Sequence, residues 1–398
     1  MPYRLLSSVK IIEAPELDGA TLATIIRYAT AIGDRPLRLA IVRDEYPMPY
    51  RMGLIEALKI GAETIELTRV QPNPRCVDID AMLNEACLTE CDAVIGIGGG
   101  SVLDSAKALA MLASNGGKLN DYLGPAPIRK VEKKGLPLIL IPTTAGTGSE
   151  VTKVGVYTAE SGRKYTLGSP LLLAQVAVLC GALTSSMPPA LTAAVGFDAL
   201  DHAFESIWNK NATSLTRSVA VEAATDVLKV LDNAYDASLR LAHPLEGDLG
   251  IRQRMLLASC KAGVAFNMTG TAAGHALSFI LSEEWHVPHG AACAFTLVDI
   301  YRHALDDAES LHALATVAKD FFPSVADPMQ RCELLLEKII GMKKRMGMSE
   351  TFGDLGINIT SADIPRYFER AFSDPKMLNQ VPIATSSAIY PMLEKKIC

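Results

Sequence analysis

In the first part of the chain, short apolar runs alternate with stretches in which apolar positions recur every three or four residues. Leu37–Val42 (LRLAIV) has the pattern of a buried strand, and the helical period of Met52–Ile60 follows it. Glu63–Leu67 reads as the next strand. A polar, proline-containing loop over 71–74 (QPNP) then precedes a helical stretch over Val77–Cys91. Ala93–Ile97 (AVIGI) is a short apolar strand that ends abruptly in Gly98–Gly100, and Leu136–Ile141 (LPLILI) repeats the theme before Pro142. Strands alternating with helices predict a parallel sheet wound with crossover helices.

After Met187 the pattern changes. Periods of three and four dominate from Pro188 onward, and β-branched runs become rare. Pro188-Pro189 suits a helix start, because a proline in the first turn sacrifices no needed donor. Helices are expected over 190–209, 213–241, 250–281, 307–321, 327–346 and 363–373. The change of pattern sets an α/β domain at 1–185 and an all-helical domain at 186–398. Length supports the division, since 398 residues exceed the roughly 250–300 that one core usually serves. No internal repeat or low-complexity tract interrupts either part.

Composition narrows the class without naming a chemistry. Hydrophobic residues make up 49% of the chain, enough for sizeable cores. A formal net charge of −6 argues against nucleic-acid backbone binding, which needs concentrated Lys and Arg. The opening MPYRLLSSVKIIEAPELDG has no long apolar segment and no small-residue cleavage site, so no signal peptide is expected. The apolar runs also fall short of the roughly 18–20 residues of a membrane-spanning helix. Eight cysteines stand at 76, 87, 91, 180, 260, 293, 332 and 398, with no C-x-x-C pair. Cys87 and Cys91 look like one face of a helix. Reduced thiols in a cytoplasmic protein, with no thiolate zinc site, are the expectation.

Two loops carry candidate chemistry in the α/β part. From Ala93 to Lys107 the chain reads as a strand, a glycine turn and a helix start. Such a turn lets backbone approach a diphosphate, and a helix N-terminus offers N–H groups and a positive dipole end. Ser101 is expected to cap that helix, with Asp104 completing a capping-box-like pair. The run is not G-x-G-x-x-G, so an ordinary Rossmann assignment is forced. The second loop, Pro142–Glu150 (PTTAGTGSE), places hydroxyls, a carboxyl and two glycines directly after a buried strand. Ligands of open parallel sheets sit at this end of the strands.

Candidate metal chemistry falls in the helical part. Only seven histidines occur, at 202, 243, 275, 286, 289, 303 and 312. Asp198 and His202 are four apart in a predicted helix and project from one face. His275 lies in another helix, and His289 follows Pro288 at a turn. One carboxylate with up to three imidazoles suits a divalent first-row metal with an open position. Spacing alone does not establish that the four converge.

Gly98–Asp104, Pro142–Glu150, Gly196–His202 (GFDALDH) and Pro288-His-Gly290 occur in this order. Together they make the chain resemble the iron-containing (group III) alcohol dehydrogenase family over nearly its whole length. The resemblance implies an α/β nucleotide-binding domain and a helical metal-binding domain, in the dehydroquinate-synthase-like architecture. It implies a metal held by Asp198, His202, His275 and His289, and a diphosphate loop at Gly98, Gly99, Gly100 and Ser101 with Asp104 beside it. Thr143, Thr144, Thr147 and Thr152 match positions that line the cofactor, and Lys164 matches a lysine near the nicotinamide ribose. Asp44, after Leu37–Val42, matches an acid that holds the adenine ribose hydroxyls and repels a 2′-phosphate, which predicts NAD over NADP.

The implied activity is reversible hydride transfer between NAD(H) and a small alcohol or aldehyde. Iron(II) is the family's usual metal, and zinc or manganese would also suit the donors. Short anionic aldehydes, sulfonated or phosphonated, are included among the substrates. Lys153, directly after Thr152, reads as a solvated lysine or as a partner for such an anion. Many family members carry a second histidine four residues after the first helix-borne imidazole ligand, where this chain has Phe279. The ring reads as a pocket wall or as core packing, and His286 is a weak candidate to take over proton relay. A dehydroquinate-synthase-like lyase and a non-catalytic metal or nucleotide sensor are the alternatives. The first needs a basic cluster that is not apparent near the ligand motifs, and retention of the ligands speaks against the second. A homo-oligomer is expected, usually a dimer in the family.

Overall fold

Lys10–Glu13 opens, as β1, the parallel sheet of the computed structural model, which describes residues 8–397. The remaining strands are β2 (Leu37–Val42), β3 (Ala62–Leu67), β4 (Ala93–Gly98), β5 (Leu138–Pro142), β6 (Val154–Thr158), β7 (Lys164–Gly168) and β8 (Val176–Leu179). Six of them form one sheet in the order β1-β8-β5-β4-β2-β3, every neighbouring pair parallel. Both faces of the central strands are covered: all of β4 and all of β5 is buried. This is why they read as continuous apolar runs. β6 and β7 form a separate antiparallel hairpin that the sequence pattern did not disclose.

Crossovers are supplied by α1 (Gly19–Thr30), α2 (Pro49–Lys59), α3 (Cys76–Glu85) and α4 (Gly100–Asn115). After β2 the chain steps outward to β3, then returns across β2 to β4 and continues to β5 on the opposite side. Strand order therefore reverses between β2 and β4, which makes a crevice at their carboxyl ends, where open α/β sheets bind ligands. Asp44 follows β2, and Gly98–Ser101 follows β4.

The helical part contains α5 (Pro189–Ile207), α6 (Ser214–Leu239), α7 (Asp248–Thr269), α8 (Ala273–Trp285), α9 (His289–Ala304), α10 (Ala308–Lys319), α11 (Pro328–Arg345), α12 (Asp363–Phe368) and α13 (Ser386–Glu394). α5 carries its site residues within Gly196–Ile207, where every position is buried. Gly290 sits against it so closely that an added Cβ would meet the Ala194 carbonyl oxygen at 2.3 Å.

The chain divides into two units. One holds the sheet up to Met187 together with Pro244–Cys260, and the other holds Pro188–His243 and the chain from Lys261. Pro244–Cys260 groups with the sheet because Gln253 accepts from the Gly181 N–H at 2.7 Å and donates to the Leu179 carbonyl at 3.2 Å. Arg252 adds a bond to the Met187 carbonyl at 3.3 Å. A single boundary in sequence has no means of registering this exchange.

Three local expectations are corrected. The helix expected over 250–281 is two helices, broken at Gly270, whose φ of +79° lies in the left-handed region that favours glycine. The stretch over 77–91 ends its α-helix at Glu85, and Cys87 precedes a separate 3₁₀ turn at Leu88–Glu90, so Cys87 and Cys91 do not share a helix face. The stretch over 363–373 is a short α-helix that tightens into a 3₁₀ turn at Glu369–Ser373. The seven described cysteines are all free thiols. Among the described residues no helix is long and apolar enough to cross a membrane.

Candidate functional site

In the sheet unit, two loops predicted to carry chemistry lie side by side because β4 and β5 are neighbours. The Thr143 N–H donates to the Gly98 carbonyl at 3.0 Å. A Cβ on Gly100 would come within 2.6 Å of Thr147 Cγ2, and one on Gly99 within 3.4 Å of Thr144 Cγ2. These glycines thus let the second loop approach closely. The N-cap of α4 is Gly99, with no side chain capping it, rather than the expected Ser101. The start of this 16-residue helix therefore has no side-chain cap for its N–H groups. Thr144 and Thr147 are half-buried beside it, whereas Thr143 and Thr152 are buried.

Asp104 has a different task from the expected one. One carboxylate oxygen accepts from Ser149 Oγ at 2.6 Å, and the other accepts from the Val156 N–H at 2.9 Å. It fastens the second loop and β6 instead of closing a capping box. Lys107, fully buried, completes the fastening by donating to Ser149 Oγ (2.7 Å), Thr152 Oγ1 (3.1 Å) and the Val154 carbonyl (2.7 Å). Burial lowers the Lys107 pKa, opposed by Asp104 and Glu150. Burial likewise pushes the Glu150 carboxyl up to about 7, and its Oε1 has no hydrogen-bond partner. Lys164 opens β7 opposite Thr158.

At the end of β2, Asp44 Oδ1 accepts from Arg51 Nη1 at 3.1 Å and from the Tyr46 N–H at 2.9 Å. The Arg51 side chain is fully buried and also donates to the Ile97 carbonyl on β4 at 3.3 Å. Asp44 is thereby pinned at the point where strand order reverses.

In the helical unit, α5, α8 and α9 bring ionisable groups together. His275 Nε2 and His289 Nε2 each lie 3.6 Å from Asp198 Oδ1, and His202 Nδ1 lies 3.7 Å from the same oxygen. Ligand atoms of Asp198, His275, His289 and Cys293 all lie within 4.8 Å of one another. His202 adjoins this group without joining it, its ring stacked on Phe266 at 4.2 Å between centroids. Phe279 is buried beside His289 at 6.2 Å between ring centroids, and Lys376 Nζ stands 4.1 Å from the centre of the Phe279 ring. His286 is the exposed, left-handed C-cap of α8 and takes no part in the cluster, contrary to the relay role considered for it.

The electrostatics call for a cation. Asp198, Asp201 and Glu205 are all essentially buried, and no Lys or Arg among the described residues pairs with them. Burial opposes charge on Asp198, yet His202, His289 and His275 outweigh it and hold the carboxyl well below its usual range. Burial opposes a charged His275 as well, and Cys293, Glu205, Asp198 and Asp201 outweigh it to raise its pKa. Burial and the neighbouring His275 lower His202 to about 4. Asp198 Oδ1, His202 Nδ1 and His275 Nε2 are buried without a hydrogen-bond partner. Unpaired buried groups of this kind are costly in a low-dielectric interior, and a divalent ion satisfies all three at once. The donor set of carboxylate and imidazoles fits iron(II), zinc(II) or manganese(II).

Three participants were not predicted. Glu205 Oε2 lies 2.8 Å from His275 Nδ1, and Asp201 Oδ2 lies 3.2 Å from the same nitrogen. Their signal was present in the sequence, since 198, 201, 202 and 205 are spaced to share one helix face. Cys293 lies one turn after His289 on α9, and that spacing was equally readable.

The family described as iron-containing alcohol dehydrogenase matches residues 19–180, and the C-terminal part of that family matches residues 192–397. The chain is 36% identical over 321 residues to long-chain-alcohol dehydrogenase 1 of Geobacillus thermodenitrificans, covering 78% of each. It is 31% identical over 343 residues to sulfoacetaldehyde reductase of Bilophila wadsworthia, covering 84% of each. Among solved structures, sulfoacetaldehyde reductase from Bifidobacterium kashiwanohense in complex with NAD+ superposes with a TM-score of 0.83 at 30% identity, covering 100% of this chain and 99% of that one.

Proposed function

Since the chain belongs to the iron-containing alcohol dehydrogenase family, we propose that it is an NAD-dependent, iron-type alcohol dehydrogenase or aldehyde reductase. The reaction is reversible hydride transfer between NAD(H) and a small alcohol or aldehyde. Short aldehydes with an anionic group, sulfonated ones first, head the substrates to be tested, in view of the two sulfoacetaldehyde reductases among the similar proteins. The carrying observation is the set of buried, unpartnered ligand atoms on Asp198, His202 and His275.

In this reading Asp198, His202, His275 and His289 hold the metal. When bound, the metal supplies Lewis acidity toward the reacting oxygen, and NAD supplies or takes the hydride. The remaining work falls to the protein's own groups. Gly98, Gly99, Gly100 and Ser101, with the start of α4, bind the diphosphate. Asp44 takes the adenine ribose hydroxyls, and Thr144 and Thr147 line the bound dinucleotide, with Lys164 toward the nicotinamide ribose. Asp104, Thr152 and Lys107 keep that loop in place from beneath. Glu205 orients the His275 ring, and Phe279 walls the site beside His289. Dinucleotide binding is thereby assigned to the 1–185 domain and metal binding to the 186–398 domain. Family resemblance further assigns the protein to the cytoplasm as a homo-oligomer.

The test combines metal content with turnover. Asp198→Ala and His275→Ala lose bound metal and NADH-linked activity together, read by elemental analysis and by NADH oxidation with neutral and sulfonated aldehydes. A variant that is metal-free yet fully active overturns the metal assignment.

A further inference from the structure

The ligand cluster is closed on most sides. The side chains of Asp198, His202 and His275 are at most 6% exposed, whereas that of His289 is 31% exposed. A reacting oxygen therefore reaches the cluster past His289. Phe279 stands on that side, 6.2 Å from the His289 ring between centroids, and the Lys376 ammonium stands 4.1 Å from the centre of the Phe279 ring. One aromatic ring thus adjoins both a ligand imidazole and a cation.

The position of Lys376 is built into the fold. It lies in a 3₁₀ turn, Pro375–Asn379, opened by Asp374, whose Oδ1 accepts from the Lys376 N–H at 2.9 Å. At the end of the turn, Asn379 Nδ2 donates to the Thr271 carbonyl at 2.8 Å just ahead of α8, and the Asn379 carbonyl accepts from the Lys210 N–H at 2.8 Å just after α5. The turn is thereby tied to the two helices that carry Asp198, His202 and His275. The Lys376 side chain is only 16% exposed, although a lysine ordinarily carries its ammonium into water. Of its three N–H donors, Asp374 Oδ2 takes one at 3.0 Å and the Phe279 ring faces a second, which leaves a third for a ligand. A neutral alkyl chain would be served better by an apolar wall alone, since drawing an ammonium out of water beside it costs desolvation. An anion repays that cost. It also needs a cation here, because the buried Asp198, Asp201 and Glu205 together outnumber the charge of a divalent ion.

Resting on the dehydrogenase reading of this site, we propose that Lys376 is a specificity-determining residue whose ammonium binds the anionic end of a short alcohol or aldehyde. The reacting oxygen of that substrate lies on the His289 side, and Phe279 spaces the two ends. A lysine is a single point charge rather than a planar fork, so it selects for charge and accepts a sulfonate or a carboxylate.

The experiment uses the full-length, metal-loaded protein and follows NADH formation from hydroxyethanesulfonate, from hydroxypropanoate and from methylsulfonylethanol, which keeps the shape of the sulfonate without its charge. The wild-type protein favours the anions over the neutral sulfone. In Lys376→Met, kcat/KM for the anions falls about 10–100-fold relative to the sulfone, mainly through KM. Lys376→Arg keeps most of the preference. Calorimetric titration with ethanesulfonate, which has no alcohol to oxidise, gives a Kd weakened by a similar factor in Lys376→Met and reads the anion site without turnover. Circular dichroism and metal content check the variants. A preference confined to one of the two anions supports the site and names its group. Equal losses on charged and neutral alcohols, or an anion preference that survives in Lys376→Met, overturn the proposal. A wild-type protein that oxidises the sulfone but neither anion overturns it and leaves the dehydrogenase reading standing. Absence of NAD-linked turnover on these and on simple alcohols, with ethanesulfonate binding still dependent on Lys376, overturns the dehydrogenase reading instead. If Lys376→Met does not fold, the wild-type preference and its loss at raised ionic strength decide the matter.

Discussion

Glu205 Oε2 lies 2.8 Å from Nδ1 of His275, and the same carboxylate accepts from the backbone N–H groups of Ala272 (2.6 Å) and His275 (3.1 Å). An ionised carboxylate only accepts, so Nδ1 carries a proton and donates to Glu205, while Nε2 faces Asp198. Burial opposes charge on Glu205, and the His275 ring with those backbone donors outweighs it to keep the carboxyl below its ordinary range. One side chain thus fixes both the ring and the first turn of the helix that bears it. Glu205→Gln has too few acceptors for all three donors. It is expected to weaken metal affinity by about 10–100-fold, measured by chelator competition. The metal-free protein should also lose about 1–3 kcal/mol of stability through the released backbone donors.

Asp44 predicts a cofactor switch. Asp44→Ala removes the carboxylate that repels a 2′-phosphate and leaves the Arg51 guanidinium, now 3.1 Å from Asp44 Oδ1, without that partner. Arginine near this position is what accommodates NADP in dinucleotide-binding sheets. The kcat/KM ratio of NADPH to NADH is expected to rise at least about tenfold. A wild-type protein that already prefers NADPH would contradict the role given to Asp44.

Gly290 concerns packing. Because its Cβ would meet the Ala194 carbonyl oxygen at 2.3 Å, Gly290→Ala must drive α9 away from α5. Such overpacking costs about 1–3 kcal/mol, read from urea unfolding. The same displacement separates His289 from Asp198, so metal retention is expected to fall with stability. Unchanged metal content in a destabilised variant would show that the helix contact and the ligand spacing are independent.

Glu150 makes stability depend on pH. Its carboxyl is raised by burial from 4.5 to about 7. Between those values the folded chain keeps a proton that the unfolded chain releases, so stability falls as pH rises through this window and levels off above it. The shift is worth about 3 kcal/mol. Urea unfolding of the metal-free protein from about pH 5 to about pH 8 should show a loss larger by about this amount in wild type than in Glu150→Gln, which lacks the carboxyl proton. Parallel curves for the two proteins would assign the buried carboxyl no part in the pH response.

The sheet was legible because its strands are covered on both faces, so burial wrote itself into uninterrupted runs such as LRLAIV and AVIGI. The glycine and hydroxyl loops were legible for a related reason: small and polar residues cannot continue such runs. The break in the long helix at Gly270 was not, since apolar periodicity resumes on the far side with the same spacing. Asp104 and Thr152 were read as facing a ligand because they stand in a motif. Their oxygens are instead occupied by Ser149, the Val156 N–H and Lys107. Partners of that kind lie 45 to 52 residues away and leave no local mark. Asp201, Glu205 and Cys293 were visible in helix spacing, but only convergence of α5, α8 and α9 gives that spacing meaning.

Lys107 touches no group assigned to the dinucleotide's own contacts, yet its three donors all end on the hydroxyl loop or the strand that follows. A random-mutagenesis screen scored by cofactor affinity would therefore recover substitutions at this lysine as though it were a recognition residue. Redesign of cofactor preference should leave it untouched: the threonines above can be exchanged one at a time only while the anchor below them holds.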